Sequence, residues 1–177
     1  MPTEISGSTG VNKIQDNTIV NADINSSAAI AGSKISGGTG KVLQVVSMDT
    51  STSTSSTSST FADTAITLSI TPSATSKVLV TVNANGFHKR TTNTSCRLRL
   101  RRGSTTLAAI AEYSNYTDDS AYVNAPGVGF TYLDTHGADG STAVTYMVQL
   151  ANGDNSGTAA IGINSSVSSI TLMEIAG

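Results

Sequence analysis

The sequence predicts an all-β protein, an antiparallel β-sandwich or jelly roll over residues 41–177 preceded by an extended N-terminal arm over residues 1–40. Three observations point there. From residue 41 onward, short runs of alternating polar and apolar residues recur, and turn-forming residues separate them. The first forty residues carry apolar side chains too sparsely for a fold of their own.

The arm is the first element. Ile5, Val11, Ile14, Ile19, Ile24, Ile30 and Ile35 stand mostly five or six residues apart in a background of Asn, Ser and Ala. That spacing is neither a helix stripe nor a strand face, so one copy cannot bury these residues against each other. The phrases TIVNADI and AAIAGSKI read as two turns of a degenerate repeat, and the arm ends at the flexible stretch Ser36 to Gly40. Two readings stand: an arm that associates with its copies or docks on another protein, and a disordered leader.

Next comes the tract from Thr50 to Thr60, eleven consecutive Ser or Thr. With no apolar face it is expected to be a surface loop or an exposed edge. Around and after it lie eight β-favouring runs: residues 41–48, 65–70, 76–84, 96–101, 106–113, 128–135, 143–150 and 168–175. Turn signals at Pro72, Gly103, Pro126, Gly137 and Gly153 punctuate them. The alternation is cleanest at Arg97, Leu98, Arg99, Leu100 and Arg101, which puts the leucines inward and the arginines outward. Residues 107–111, LAAIA, have helical propensity, but the turn residues on both sides leave too little length for a stable helix.

Composition narrows the function. The charge is −2 with 12% charged residues, which argues against a nucleic-acid partner. No stretch approaches the roughly 20 apolar residues of a membrane span, and MPTEISGSTG lacks the features of a secretory signal. The chain is therefore expected to be made in a cytoplasm and to insert in no membrane. Cys96, the single cysteine, excludes an internal disulfide and is expected in the core.

Candidate chemistry is thin. Arg97, Arg99 and Arg101 form a row of planar donors that could grip an anionic group on a glycan, or could pair with Glu112, Asp118 and Asp119. Tyr113, Tyr116 and Tyr122 are close enough in sequence to form one patch for sugar stacking. Asp134, His136 and Asp139 sit in a Gly-containing stretch whose spacing fits no dedicated calcium loop, so a polar hairpin tip is expected and no metal is assigned. His88 is expected at a strand end. A hydrolase would need two carboxylates in a cleft, drawn from Glu112, Asp118, Asp119 and Asp134, and no catalytic motif frames them. No catalytic residue and no cofactor are expected.

Read in order, GKVLQVVS, the Ser/Thr tract, FADTAITLSITPSATSKVLVTVN, LRLRRGSTTLA, TYMVQL and SSITLMEI resemble the C-terminal domain of fibre-type virion proteins of tailed bacteriophages. The resemblance covers residues 40–177, and its most specific pieces are Asp63 to Val80 and the closing Met173, Glu174, Ile175. It implies a homotrimer of β-sandwich domains on a virion, held to a capsid, neck or tail protein. With no long stalk, the chain resembles a short fibre, spike or capsid decoration protein. Host-glycan recognition by a fibre tip is the alternative that the resemblance implies. Burying seven branched side chains per arm around a threefold axis, at roughly 1.5–3 kcal/mol each before ordering entropy, would hold such a trimer together.

Overall fold

Alternation of apolar and polar residues becomes eleven strands in a computed structural model that describes residues 41–90, 93–117, 126–154 and 157–177. They are β1 (Val42–Thr50), β2 (Thr54–Ser56), β3 (Ala62–Ile70), β4 (Lys77–Ala84), β5 (His88–Arg90), β6 (Thr94–Arg102), β7 (Thr105–Thr117), β8 (Val128–Asp134), β9 (Val144–Asn152), β10 (Thr158–Ile161) and β11 (Ser168–Ile175). A 3-10 turn at Ile163–Ser165 is the only helical element among the described residues. All of them belong to the unit Thr39–Gly177. The arm ladder Ile5, Val11, Ile14, Ile19, Ile24, Ile30 and Ile35 lies outside the described residues, as do Asp118, Asp119 and Tyr122.

Each of the eight expected runs is a strand, LAAIA included. They form two four-stranded sheets, β1-β11-β4-β8 and β3-β9-β6-β7. Counted among these eight alone, the sheets read 1-8-3-6 and 2-7-4-5, with every pairing antiparallel. First pairs with eighth, second with seventh, third with sixth and fourth with fifth. That is one long two-stranded ribbon folded over itself, the jelly roll. Its tip is the β6–β7 hairpin, where Gly103 takes φ +51°, a conformation that a side chain would strain.

The core fills the space between the two sheets. Val78, Val80, Val82, Ile170 and Leu172 from one sheet and Ile66, Leu98, Leu100, Tyr146, Val148 and Leu150 from the other are buried. On β6 Leu98 and Leu100 are 0% exposed while Arg97, Arg99 and Arg101 lie on the opposite face, as the alternation predicts.

Two buried polar groups join elements at the margins of this core. Asp134 on β8 accepts two bonds from Arg102 Nη1, at 2.8 and 2.7 Å, and one from the Tyr146 hydroxyl at 2.7 Å. The first sheet is thereby tied to the second. Glu174 on β11 accepts from Gln44 Nε2 at 2.6 Å and from the Ser73 backbone N–H at 2.7 Å. Burial pushes the Glu174 carboxyl up, but the hydrogen bonds from Gln44, Ser73 and Ser76 outweigh it and hold the group down at about 2.

Sequence reasoning did not anticipate the third sheet, β2-β10-β5. β2 rises from the Ser/Thr tract as its edge, so the tract is an exposed edge in part. Backbone bonds anchor it: Asn152 N–H donates to the Ser58 carbonyl at 2.9 Å. Gly162, at φ +74°, passes so close to Thr52 that a Cβ would lie 2.8 Å from the Thr52 carbonyl oxygen. Ala159, Ala160, Ile161 and Phe87 are buried with it, and so are His88 and Lys89 of β5. Cys96, fully buried, donates from Sγ to the His88 carbonyl at 3.0 Å, and burial pushes its thiol up to about 12.

Leu100→Ala should cost about 2–5 kcal/mol in urea unfolding, because the site is closed on all sides. Thr131→Ala, on an exposed position of β8, should stay within about 0.5 kcal/mol. Equal losses would contradict the facing of β6. Because the folded Glu174 carboxyl titrates below its ordinary 4.5, its ionised form adds stability that is full above about pH 4.5 and is lost as pH falls through about 2. Glu174→Gln should therefore unfold at lower urea than the parent at neutral pH. The gap between the two midpoints should narrow as the pH is lowered from 4.5 toward 2.

Candidate functional site

Strand β6 carries the site because its register leaves every second side chain outside the core. Arg97, Arg99 and Arg101 face Ala151, Gln149 and Met147 of β9 across the sheet. Arg99 donates from Nε to the Gln149 side-chain carbonyl at 2.7 Å, and Gln149 donates from Nε2 to Asp63 Oδ1 at 2.5 Å. Asp63 lies on β3, so this chain of bonds crosses three strands. Gln149 is 4% exposed, which makes it a fixed anchor for the guanidinium above it.

Phe61, immediately before β3, supplies the ring on which the row rests. The Arg99 guanidinium lies 4.1 Å from its centroid and that of Arg97 4.9 Å. Arg97 also lies 5.3 Å from the Tyr113 centroid and donates from Nε to Glu112 at 2.6 Å. Such stacking holds a flat cation in place at modest energy. The Glu112 hydrogen bond raises the Arg97 pKa. Arg99 is lowered, first by burial and then by the neighbouring charges of Arg101 and Arg97. Arg101 has its Nε buried with no hydrogen-bond partner among the described residues.

Tyr113 stands out on β7. The residue is 57% exposed, yet its backbone sits at φ +48°, which an aromatic residue adopts only at a cost. The β6–β7 pairing is interrupted by several register shifts, and these bulges turn the strand. The expected tyrosine patch is only partly assembled. Tyr113 joins the arginines, Tyr116 instead donates its hydroxyl to Asn93 Oδ1 at 2.9 Å, and Tyr122 is outside the described residues.

The other candidates are engaged in structure. His88 opens β5 as expected. The expected polar tip at Asp134, His136 and Asp139 needs correction, because only Asp139 is exposed. Asp134 closes β8 in the buried contact with Arg102 and Tyr146. His136 is buried near Ser76, with Nε2 3.4 Å from its hydroxyl, because its chain folds back onto the sandwich end. Asp139 accepts from the Ser141 and Thr142 N–H groups, and these bonds hold its carboxyl down at about 2. A shallow groove of about 540 Å³ lies here, lined by Arg102, His136, Asp139 and Thr142, with its charged groups already committed. Of the carboxylates weighed for hydrolysis, Glu112 is paired with Arg97 and Asp134 with Arg102, while Asp118 and Asp119 lie outside the described residues.

Phe61, Asp63 and Gln149 are the parts of this face that the sequence did not announce. The only available signal was the outward phase of Gln149 and Asp63 in their strands.

No protein-family model matches the sequence, and no curated protein matches it. Among solved structures, the infectious bursal disease virus VP2 subviral particle is similar at 12% identity and a TM-score of 0.44, over 76% of this chain and 33% of that one. The chain thus spans about a third of that protein's length, and at this similarity the likeness bears on no residue's role.

The two ion pairs should differ in a double-mutant cycle. Arg97 with Glu112 is partly solvated and should couple by about 0.2–1 kcal/mol. Arg102 with Asp134 should couple more strongly, and Asp134→Asn alone should cost about 3 kcal/mol or more by leaving the cation without its counter-charge. Urea titrations of the single and double variants measure both.

Proposed function

We propose that the chain is a structural component of a virus particle: a short trimeric fibre or decoration protein of a tailed bacteriophage, fastened by its N-terminal arm and displaying the jelly roll outward. One observation carries this reading. On the outer face of β1-β11-β4-β8, Val45, Met173, Leu79 and Leu133 are direct partners across all four strands. Val45 is 51% and Leu133 50% exposed, and Val42 and Leu43 add to the patch at the start of β1. The next row, Ser47, Thr171, Thr81 and Thr131, is uncharged. A four-stranded face with an apolar row and an uncharged one suits contact with a second copy, since isolated domains normally break up such patches with charge.

The resemblance of residues 40–177 to fibre-type domains supports the same reading, as does the arm ladder that one copy cannot bury. Both features belong to a part of an assembly. No catalysis is assigned, and the proposed partners are sister copies and a capsid, neck or tail protein. Host attachment through the β6 face is the second reading, favoured by the exposed Tyr113 beside Arg97.

Native mass spectrometry of the full chain should give a trimer. Deleting residues 1–36 should leave a folded β domain that no longer incorporates into particles, and Ile19→Asp with Ile24→Asp should do the same. A monomeric full chain, or a truncated chain that occupies particles as the parent does, would overturn the proposal.

A further inference from the structure

We infer that the outer face of β6 is a preorganised site for an anionic saccharide, in which the Arg97 and Arg99 guanidinium groups, backed by Phe61, grip a carboxylate or sulfate while the exposed Tyr113 ring flanks the sugar. The inference is independent of the virion reading.

Four observations lead to it. Among the described residues, Arg97 and Arg99 donate hydrogen bonds only through Nε, to Glu112 and Gln149. Their terminal nitrogens remain available in the flat geometry that matches two oxygens of one anion. Both groups are already immobilised, since Phe61 lies 4.9 and 4.1 Å from them and the buried Gln149 holds Arg99 from beneath. Little side-chain entropy is left to lose on binding.

Charge is the third observation. Among the described residues, three arginines share this face with two carboxylates, Glu112 and Asp63, and Asp63 is held by Gln149 instead of an arginine. Among the described residues one positive charge is in excess, and Arg101 Nε has no hydrogen-bond partner. An arriving anion therefore meets uncompensated guanidinium charge. The fourth is Tyr113, whose exposed ring is held beside Arg97 by a left-handed backbone. Local strain that presents an exposed aromatic ring beside a cation suits ligand contact, and it adds nothing to the core. A simple phosphate would use the arginines and leave the Tyr113 ring idle. A charged sugar uses the arginines and Tyr113 together, with the tyrosine ring against its C–H groups and the guanidinium edges on its anionic oxygens.

The test is calorimetric titration of the full chain with three probes: trigalacturonate, a sulfated chondroitin tetrasaccharide, and neutral maltotriose. Binding of either anionic probe, weakened by added salt and absent with maltotriose, is expected. The anionic probe that binds tells carboxylate from sulfate. Arg99→Lys keeps the charge but loses the flat fork and should weaken binding about tenfold or more. Lys77→Ala, an exposed cation on the other sheet, should leave it unchanged. Tyr113→Ala, on an exposed side chain, serves as a second variant should Arg99→Lys alter the melting curve, and it should also weaken binding. The inference is overturned if neither anionic probe binds, if maltotriose binds as tightly, or if Arg99→Lys and Lys77→Ala have the same effect. Particle incorporation is read separately, so either proposal can fail without the other.

Discussion

Register on β6 is the constraint on which the rest of the molecule depends. Leu98 and Leu100 can enter the core only if Arg97, Arg99 and Arg101 leave it, and a slip of one residue would exchange all five. The same phase sends Arg102 inward at the strand's end, where burial would be costly without Asp134 waiting on the opposite sheet. Core, inter-sheet tie and outer face are thus three consequences of one alternation. In this folded ribbon, β1 meets β11 only after the chain has run nearly its whole described length, so the pairing is non-local and closes at a high entropic cost. Local pairing of the fourth and fifth strands across the Gly103 tip lowers that cost for the strands that follow.

What was legible in the sequence follows from where side chains go. The jelly-roll strands mostly turn one face inward, fully buried on β4 and β11 and half-buried on β1 and β8, so burial wrote period two into them. The three strands of the small sheet carry no such signal. β2 is drawn from a tract of hydroxyl side chains with no apolar member, β5 is His-Lys-Arg, and β10 is four residues with alanine on both faces. They are strands because their backbones find partners, with Ala160 opposite Ser55 on one side and His88 on the other. Pairing of that kind leaves no mark on hydropathy. The candidate site divides the same way. Arginines in alternation declare themselves, whereas Phe61, Asp63 and Gln149 reach them only because β3 and β6 flank β9.

Glu174 and Lys89 make a related point about polar residues. In the sequence each reads as a solvated charge, and in the fold each is buried. Glu174 lies in the row Gln44, Glu174, Val78, Asp134, an inward-facing row that reaches the margin of the sandwich. The core there gives way to carboxylates that accept bonds from the other sheet and from the loop before β4. Unlike an apolar side chain, a buried carboxylate tolerates only the arrangement that satisfies its oxygens. These residues therefore fix how the sheet edges and the loop at Ser73 come together, at the margin where hydrophobic packing is weakest.

The two outer faces of the sandwich have opposite chemistry, and that asymmetry is the most informative property of the domain. One face presents Val45, Met173, Leu79 and Leu133 beside a row of hydroxyls, and the other presents stacked arginines and an exposed tyrosine. Apolar area gains free energy on any dry contact, so the first face suits the copy-to-copy contact proposed above. Guanidinium groups already anchored by Glu112 and Gln149 gain little from generic contact but much from an anion of matching shape, so the second face favours selective recognition. Because both faces belong to strands that share one core, occupying either leaves the other's register untouched. A jelly roll built this way can be fixed in an assembly through one sheet while its other sheet stays open to solvent.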